Sequence, residues 1–370
     1  MTVCTSSVPA VVAEIDGSAL RHNLRRVRES APGCPVAAVI KADGYGHGLI
    51  RVARALQGVD AYAVARLEEA LWLREEGITG PILLLEGFLH AAELEPIARH
   101  RLTVVVHHRW QLEALEGARL PLPVQAWLKL DSGMHRLGFP PSELPAARAR
   151  LAACASVTGP LVLMTHLACA DDRDSPVTLR QLSLFDRFTA EADGQSIANS
   201  AAILGWPAAQ RGWLRPGIML YGASPFTEGS GESLGLRPVM TLRSRLVAVN
   251  RLREGDPVGY GGDWICPEDM PVGVVAIGYG DGYPRHAPAG TPVLIGGRQV
   301  PLVGRVSMDM ITVDLRSLPH ARVGDTAILW GRGLPVETVA RRAGTIAYEL
   351  LCGVARHRVH YQEIQHGQVL

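Results

Sequence analysis

The sequence predicts an α/β protein: a (β/α)8 barrel of the TIM type over residues 1–236, followed by a mainly-β domain over 237–370. Three observations predict it. The chain has 370 residues, too many for one ordinary core. Short apolar strand-like runs alternate with helical stretches through the first part. Beyond residue 236 helical periodicity nearly vanishes and hairpin signals take over.

The elements follow in order. Residues 11–15 read as a strand, and Asp16 caps a helix with Leu20, Leu24 and Val27 on one face. Residues 36–40 and 61–65 read as strands, each followed by a helix, over 49–56 and 67–74. Residues 82–85, 102–106, 126–130, 161–165 and 196–198 continue the series, giving about eight βα units. An open doubly wound sheet is the competing architecture. It would carry G-x-G-x-x-G between strand and helix, and the nearest match, G-Y-G-H-G at 44–48, has the wrong spacing. In the second domain, Met240, Leu242 and Leu246 share one strand face, with Thr241, Arg243 and Arg245 on the other. Residues 293–295, the Gly296-Gly297 turn and 299–300 read as a hairpin. Residues 308–313 and 327–329 add strands, and 336–342 reads as a helix.

Composition narrows the function. Hydrophobic residues make up 47% and charged residues 20%, so the chain can bury a large core. A net charge of +1 argues against nucleic-acid binding, which needs a basic excess. No apolar run reaches membrane-helix length, and residues 1–10 lack the basic and apolar regions of a signal peptide. Cys4, Cys34, Cys154, Cys169, Cys266 and Cys352 are scattered without a C-x-x-C pair. That pattern fits reduced cytoplasmic thiols better than a disulfide framework or a zinc site, so no metal is expected.

Of the 37 basic residues only Lys41 and Lys129 are lysines; the other 35 are arginines. Surface charge can be supplied by either residue, so the two lysines are candidates for work that needs an amine. An ε-amine can be deprotonated and can form Schiff bases; a guanidinium cannot. Chance drift in composition would leave the same count. Lys41 ends the second strand in V-I-K-A-D-G-Y-G-H-G at 39–48, where an apolar strand partly desolvates its stem and glycines let a ligand approach the backbone. A plainer role is a strand-end lysine paired with Asp43.

At this motif the sequence resembles the alanine racemases, pyridoxal-phosphate (PLP) enzymes built as a barrel plus a β-domain. The resemblance covers nearly the whole chain. Further matching segments follow in order: K-L-D-S-G-M-H-R-L-G at 129–138, M-T-H-L-A at 164–168, A-N-S-A-A at 198–202, R-P-G-I-M-L-Y-G at 215–222, I-G-Y-G-D-G-Y-P at 277–284 and G-R-V-S-M-D at 304–309. It implies a racemase that interconverts L- and D-alanine, for peptidoglycan or for alanine catabolism, with PLP carried on Lys41 as a Schiff base. Racemisation removes the Cα proton from one face and returns one to the other, so two bases are expected, with PLP as the electron sink. The resemblance implies Lys41 for the D-enantiomer and Tyr279 for the L-enantiomer. A phenol with an ordinary pKa of about 10 is a poor base unless its surroundings help. His166 beside the tyrosine, and Arg215 beside His166, are implied to do so.

Arg215 is also implied to face the pyridine nitrogen, where a fixed cation disfavours ring protonation and limits side reactions. Ser200, the N–H groups of Gly217 and Ile218, and Tyr45 are implied to hold the phosphate. Arg136 and the N–H of Met308 are implied to hold the substrate carboxylate. Lys129 is implied to be carbamylated and to support Arg136; pairing with Asp131 is the plainer role. Two departures stand out. Arg356 occupies a position where some relatives have a phosphate-contacting tyrosine, and Ser307 one where many have cysteine. A decarboxylase of basic amino acids shares this architecture but would need acidic residues for a distal amine, and its catalytic cysteine motif is not visible. A non-catalytic PLP carrier is usually the barrel alone. The resemblance further implies a homodimer with composite sites, the tyrosine reaching PLP from the neighbouring subunit; a cleft within one chain is the alternative.

Overall fold

The computed structural model describes residues 9–190 and 192–364; Cys4 lies outside them. The chain divides into two compact units. One holds residues 21–220 and 225–228. The other holds the described residues through Leu20, 221–224 and 229 onward. No helix among the described residues is long and apolar enough to cross a membrane.

The first unit is the barrel. Ala37–Val39, Ala61–Val64, Ile82–Leu84, Thr103–Val106, Val124–Lys129, Val157–Met164 and Gly194–Ser196 form one parallel sheet in sequence order. The first four of these strands are buried throughout and read as apolar runs rather than alternating patterns. The eighth position is filled by residues 213–216. Trp213 N–H donates to Gln195 O (2.7 Å) and Arg215 N–H to Ala198 O (2.9 Å) on one side. On the other, Ala37 N–H donates to Leu214 O (2.8 Å) and Val39 N–H to Pro216 O (2.9 Å). The ring closes there. Pro216 in so short a run hides the strand signal from the sequence.

The strand expected to open the barrel does not belong to it. Val12–Asp16 pairs antiparallel with the 240–243 stretch and parallel with His360–Ile364. A short apolar run looks the same in either sheet, because period alone does not name the partner. Asp16 caps the following helix, Gly17–Ser30, as expected: its Oδ1 accepts from Ser18 N (2.9 Å) and Ala19 N (3.1 Å). Leu20, Leu24 and Val27 are buried.

The second unit is mainly β. Met240–Leu252 is long enough to serve two further neighbours besides Val12–Asp16. Its first half pairs with Thr326–Trp330 and its second half with Met270–Val275. Met270–Val275 pairs on its other edge with Ile311–Asp314, which leads through Arg298–Val303 and Pro292–Ile295 back to Thr326–Trp330. The six strands therefore close on themselves, which removes open edges. The expected hairpin is present: Ile295 faces Arg298 across Gly296 and Gly297, with φ of +54° and +76°, the conformation of a type I′ turn. Val336–Arg342 is helical as expected. Ala347–Cys352, a helix the sequence reading passed over, follows it.

Candidate active site

Lys41 follows the first barrel strand, and the backbone after it is unusual. Ala42, Asp43, Gly44, Tyr45 and Gly46 all have positive φ, between 51° and 77°. Such a left-handed turn costs about 1–2 kcal/mol at each non-glycine residue. Its clamps come from outside: Glu69 Oε1 accepts from Ala42 N (2.7 Å), and Asp43 Oδ1 accepts from Leu49 N (2.7 Å). Buried His47 donates from Nδ1 to Gly44 O (3.0 Å) and Tyr45 O (2.8 Å). Burial holds the His47 pKa down to about 4, so the ring stays neutral. Asp43 is thus engaged with the turn.

The turn aims Tyr45 at Gly217. A Cβ added to Gly217 would lie 2.5 Å from the Tyr45 hydroxyl, so only glycine leaves room there. Ser200 Oγ accepts from Gly217 N (2.9 Å) and Met219 N (3.4 Å). The Ser200 and Tyr45 hydroxyls both lie against Gly217, a polar corner that suits a phosphate, and Ile218 follows in the same turn.

His166 and Arg215 come together as expected. Arg215 is 3% exposed, and Nη2 lies 3.3 Å from His166 Nδ1. It also donates to Thr165 O (2.6 Å) and Ile197 O (3.1 Å), while Nη1 donates to Ser196 Oγ. Burial lowers the Arg215 pKa to about 9, which still leaves it charged at neutral pH. A guanidinium offers only donors, so His166 Nδ1 must present its lone pair and the ring proton sits on Nε2. Burial, then Arg215, Lys129, Arg136 and Lys41, hold the His166 pKa well below its ordinary value.

Lys129 ends a barrel strand and is buried. Burial is the largest cause of a pKa near 8, followed by Arg215 and Arg136; Asp131 opposes them and Lys41 adds a smaller push. Pairing with Asp131 does not occur. That carboxylate accepts from Gly133 N (3.0 Å), Met134 N (3.1 Å) and His135 N (3.0 Å), with His135 Nδ1 at 3.0 Å from its other oxygen. Among the described residues no carboxylate lies within salt-bridge distance of Lys129. Lys41, Lys129, Arg136 and Arg215 all bear on His166, and among the described residues none of them is salt-bridged, although Asp131 acts on Lys129 from a distance; such a cationic group selects anionic partners.

In the β-domain, Tyr279 starts a tight turn whose N–H donates to Ser307 O (3.0 Å); Gly280 N–H donates to Met308 O (2.9 Å). Gly278 permits this approach, since a Cβ there would meet Met308 O at 2.3 Å. Arg358 ties the two segments, pairing with Asp281 (3.1 Å) and with Asp309. The Met308 N–H has no acceptor among the described residues. Tyr279 is 41% exposed and Met308 51%.

The sequence reading passed over a second tyrosine. Tyr260, 67% exposed, sits in G-Y-G-G at 259–262, where all three glycines have positive φ. Its loop packs on the same 304–309 segment: a Cβ on Gly261 would lie 3.2 Å from the Arg305 guanidinium, and Arg305 pairs with Asp263. A tyrosine between glycines, as at 278–280, was the available signal. Tyr260, Tyr279, Met308 and Met310 are exposed apolar side chains on or beside this segment. Arg356 stacks over the Tyr361 ring, 5.4 Å from its centroid.

Comparison with known proteins gives the family. The model of the alanine racemase N-terminal domain matches residues 15–225, and that of the C-terminal domain 239–362. The alanine racemase of Nitrosococcus oceani is 58% identical over 342 residues, 92% of this chain and 96% of that one. The crystal structure of biosynthetic alanine racemase from Pseudomonas aeruginosa superposes with a TM-score of 0.94 at 48% identity, covering 96% of this chain and 100% of that one. The alanine racemase structure from Acinetobacter baumannii superposes at 0.90 with 37% identity, over 96% and 100% of the two chains. With both domain models matched in order along one chain, the protein belongs to the alanine racemase family and is an amino-acid isomerase that racemises alanine.

Proposed function

We propose that the chain interconverts L- and D-alanine by a two-base route with PLP held at the C-terminal ends of the barrel strands. The observation that carries this reading is the group Lys41, Lys129, Arg136 and Arg215 around neutral His166, beside the Ser200, Gly217 and Tyr45 cradle. Lys41 would anchor the cofactor, Ser200, Tyr45 and the N–H groups of Gly217 and Ile218 would hold its phosphate, and Arg215 would stand at its ring nitrogen. When bound, PLP supplies an electron sink for the charge left at Cα. Lys41 moves the proton on one face of Cα. A β-domain tyrosine moves it on the other, its phenolate steadied by the His166 Nε2–H. Arg136 and the Met308 N–H hold the substrate carboxylate.

Two tyrosines qualify as the second base. Tyr279 is the residue the resemblance implies, beside Met308. Tyr260 is favoured by its greater exposure in a loop on the same 304–309 segment. Lys129, near its pKa of about 8, offers a neutral fraction to carbon dioxide. Its lone pair bonds the carbon and one proton leaves. The resulting carbamate places an anion among Arg136, Arg215 and Lys41.

The tyrosine comes from a second copy of the chain in this reading. Over 200 residues separate Lys41 from either tyrosine, and the exposed apolar group around residues 304–310 is the kind of surface a partner covers. The five described cysteines are free, which supports a cytoplasmic setting. Whether a host lacking the gene requires D-alanine separates peptidoglycan supply from catabolism. The test of the chemistry couples L-alanine turnover to D-amino-acid oxidase, with a heat-killed control. Borohydride reduction of the visible cofactor band, with the label recovered on Lys41, tests the anchor. Label elsewhere, or turnover without PLP, overturns this reading.

A further inference from the structure

Gln181 lies in the helix Val177–Asp186 and is 1% exposed. A buried glutamine among Leu182 and Phe185 needs an explanation, because an apolar side chain would fill the space at lower cost. Its amide is fully used. Oε1 accepts from Ala168 N (2.8 Å), and Nε2 donates to His166 O (3.0 Å) and Ser132 Oγ (3.2 Å). Thr165 Oγ1 donates to Leu130 O (3.0 Å) and lies 2.7 Å from Ser132 Oγ. With the threonine proton committed, Ser132 must be the donor between the two hydroxyls. The chain of donors runs one way, from Gln181 to Ser132 to Thr165 to Leu130, and such chains reinforce one another.

This chain joins two loops of the candidate site. Ser132 and Gly133 begin the 131–138 loop that carries Arg136, and a Cβ on Gly133 would lie 3.5 Å from Gln181 Cγ. Thr165, His166 and Ala168 form the loop that meets Arg215, whose Nη2 donates to Thr165 O. We propose that Gln181 is a positioning residue that sets the Arg136 loop against the His166 loop, and so governs how well the alanine carboxylate is held. This rests on the racemase reading above.

The test uses the PLP-loaded enzyme with Gln181→Met, which keeps the volume and removes all three bonds, and Ser132→Ala, which removes the two bonds of that hydroxyl. The readouts are kcat and KM for both alanine enantiomers, Tm, and the visible cofactor band. KM should rise about tenfold in Gln181→Met and about threefold in Ser132→Ala, with kcat changed less than threefold and the band retained. A structural role alone would lower Tm and leave KM where it was. Unchanged KM in folded Gln181→Met, or in Ser132→Ala if the first variant does not fold, overturns the proposal. A wild-type protein inert towards both enantiomers overturns the racemase reading, and this proposal with it.

Discussion

In the barrel, Arg215 is 3% exposed and its guanidinium meets Thr165, His166, Ser196 and Ile197. In the β-domain, Tyr260, Tyr279 and Met308 are 67%, 41% and 51% exposed, and what is fixed is the backbone beneath them. The barrel prepares charge in a dry setting, where fixed donors and cations act strongly. The β-domain instead prepares direction, with glycines at 259, 261, 278 and 280 and the Arg358 pairings holding loops whose side chains are left open. The barrel groups are buried and fully partnered by their own fold; the β-domain side chains are exposed.

The largest expected effect breaks the barrel side. If Lys41 is both anchor and base as proposed, Lys41→Ala should lower racemisation by about 10⁴-fold or more. Comparable turnover in the variant would end the assignment. On the β-domain side, the tyrosine that acts as base should lose about 10²–10⁴-fold in both directions when changed to Phe, with slow α-proton exchange of D-alanine persisting through Lys41. The other tyrosine should lose less than about tenfold. Mixing Lys41→Ala subunits with subunits of the sensitive tyrosine variant leaves one intact site in each mixed dimer. About a quarter of wild-type activity should return. No recovery despite confirmed heterodimers would place the whole site in one chain.

Lys129 sharpens the comparison by pH. Its folded pKa is about 8 against an ordinary 10.5. Between those values the unfolded chain binds more protons, so stability rises with pH across that window, by on the order of a few kcal/mol. In carbon-dioxide-free buffer, Lys129→Met should therefore be more stable than wild type below pH 8 and lose that advantage by about pH 10.5. Equal melting curves at all pH values would show that the amine carries no burial penalty. In ordinary buffer Lys129→Ala should be less active, and added short-chain carboxylates should partly restore it.

Two glycines give the smaller effects. Gly217→Ala should weaken PLP binding by about tenfold or more in a fluorescence titration, because the new methyl meets the Tyr45 hydroxyl. Gly297→Ala, at φ +76° with open space around it, should lower Tm by about 2–4 °C and leave turnover unchanged. An unaltered affinity in the first would remove Gly217 from the cradle.

Much of this was legible beforehand because its signals are local. Parallel barrel strands advertise themselves as apolar runs, and the Gly296-Gly297 turn announces its hairpin. Pairing partners are not local. Val12–Asp16 has the composition of a barrel strand and joins the other sheet, while residues 213–216 close the barrel with a proline in the run. Within the site, Lys41 stood out as one of only two lysines, while His166 and Arg215 were named by the family resemblance alone. Tyr260 was not, because a tyrosine among glycines resembles any loop until its exposure is known. Gln181 was hidden more deeply: its meaning lies in what it touches, 15 and 49 residues away.

The scarcity of lysine has a practical consequence. The chain's two ε-amines both stand at the C-terminal ends of barrel strands, and Lys129 is 6% exposed. Acylating reagents that decorate most proteins all over would find no ε-amine elsewhere on this one. Apart from the α-amine, amine-directed dyes, cross-linkers and immobilisation resins have only these two positions to report on, and uptake of such a reagent at Lys41 measures how accessible that amine is.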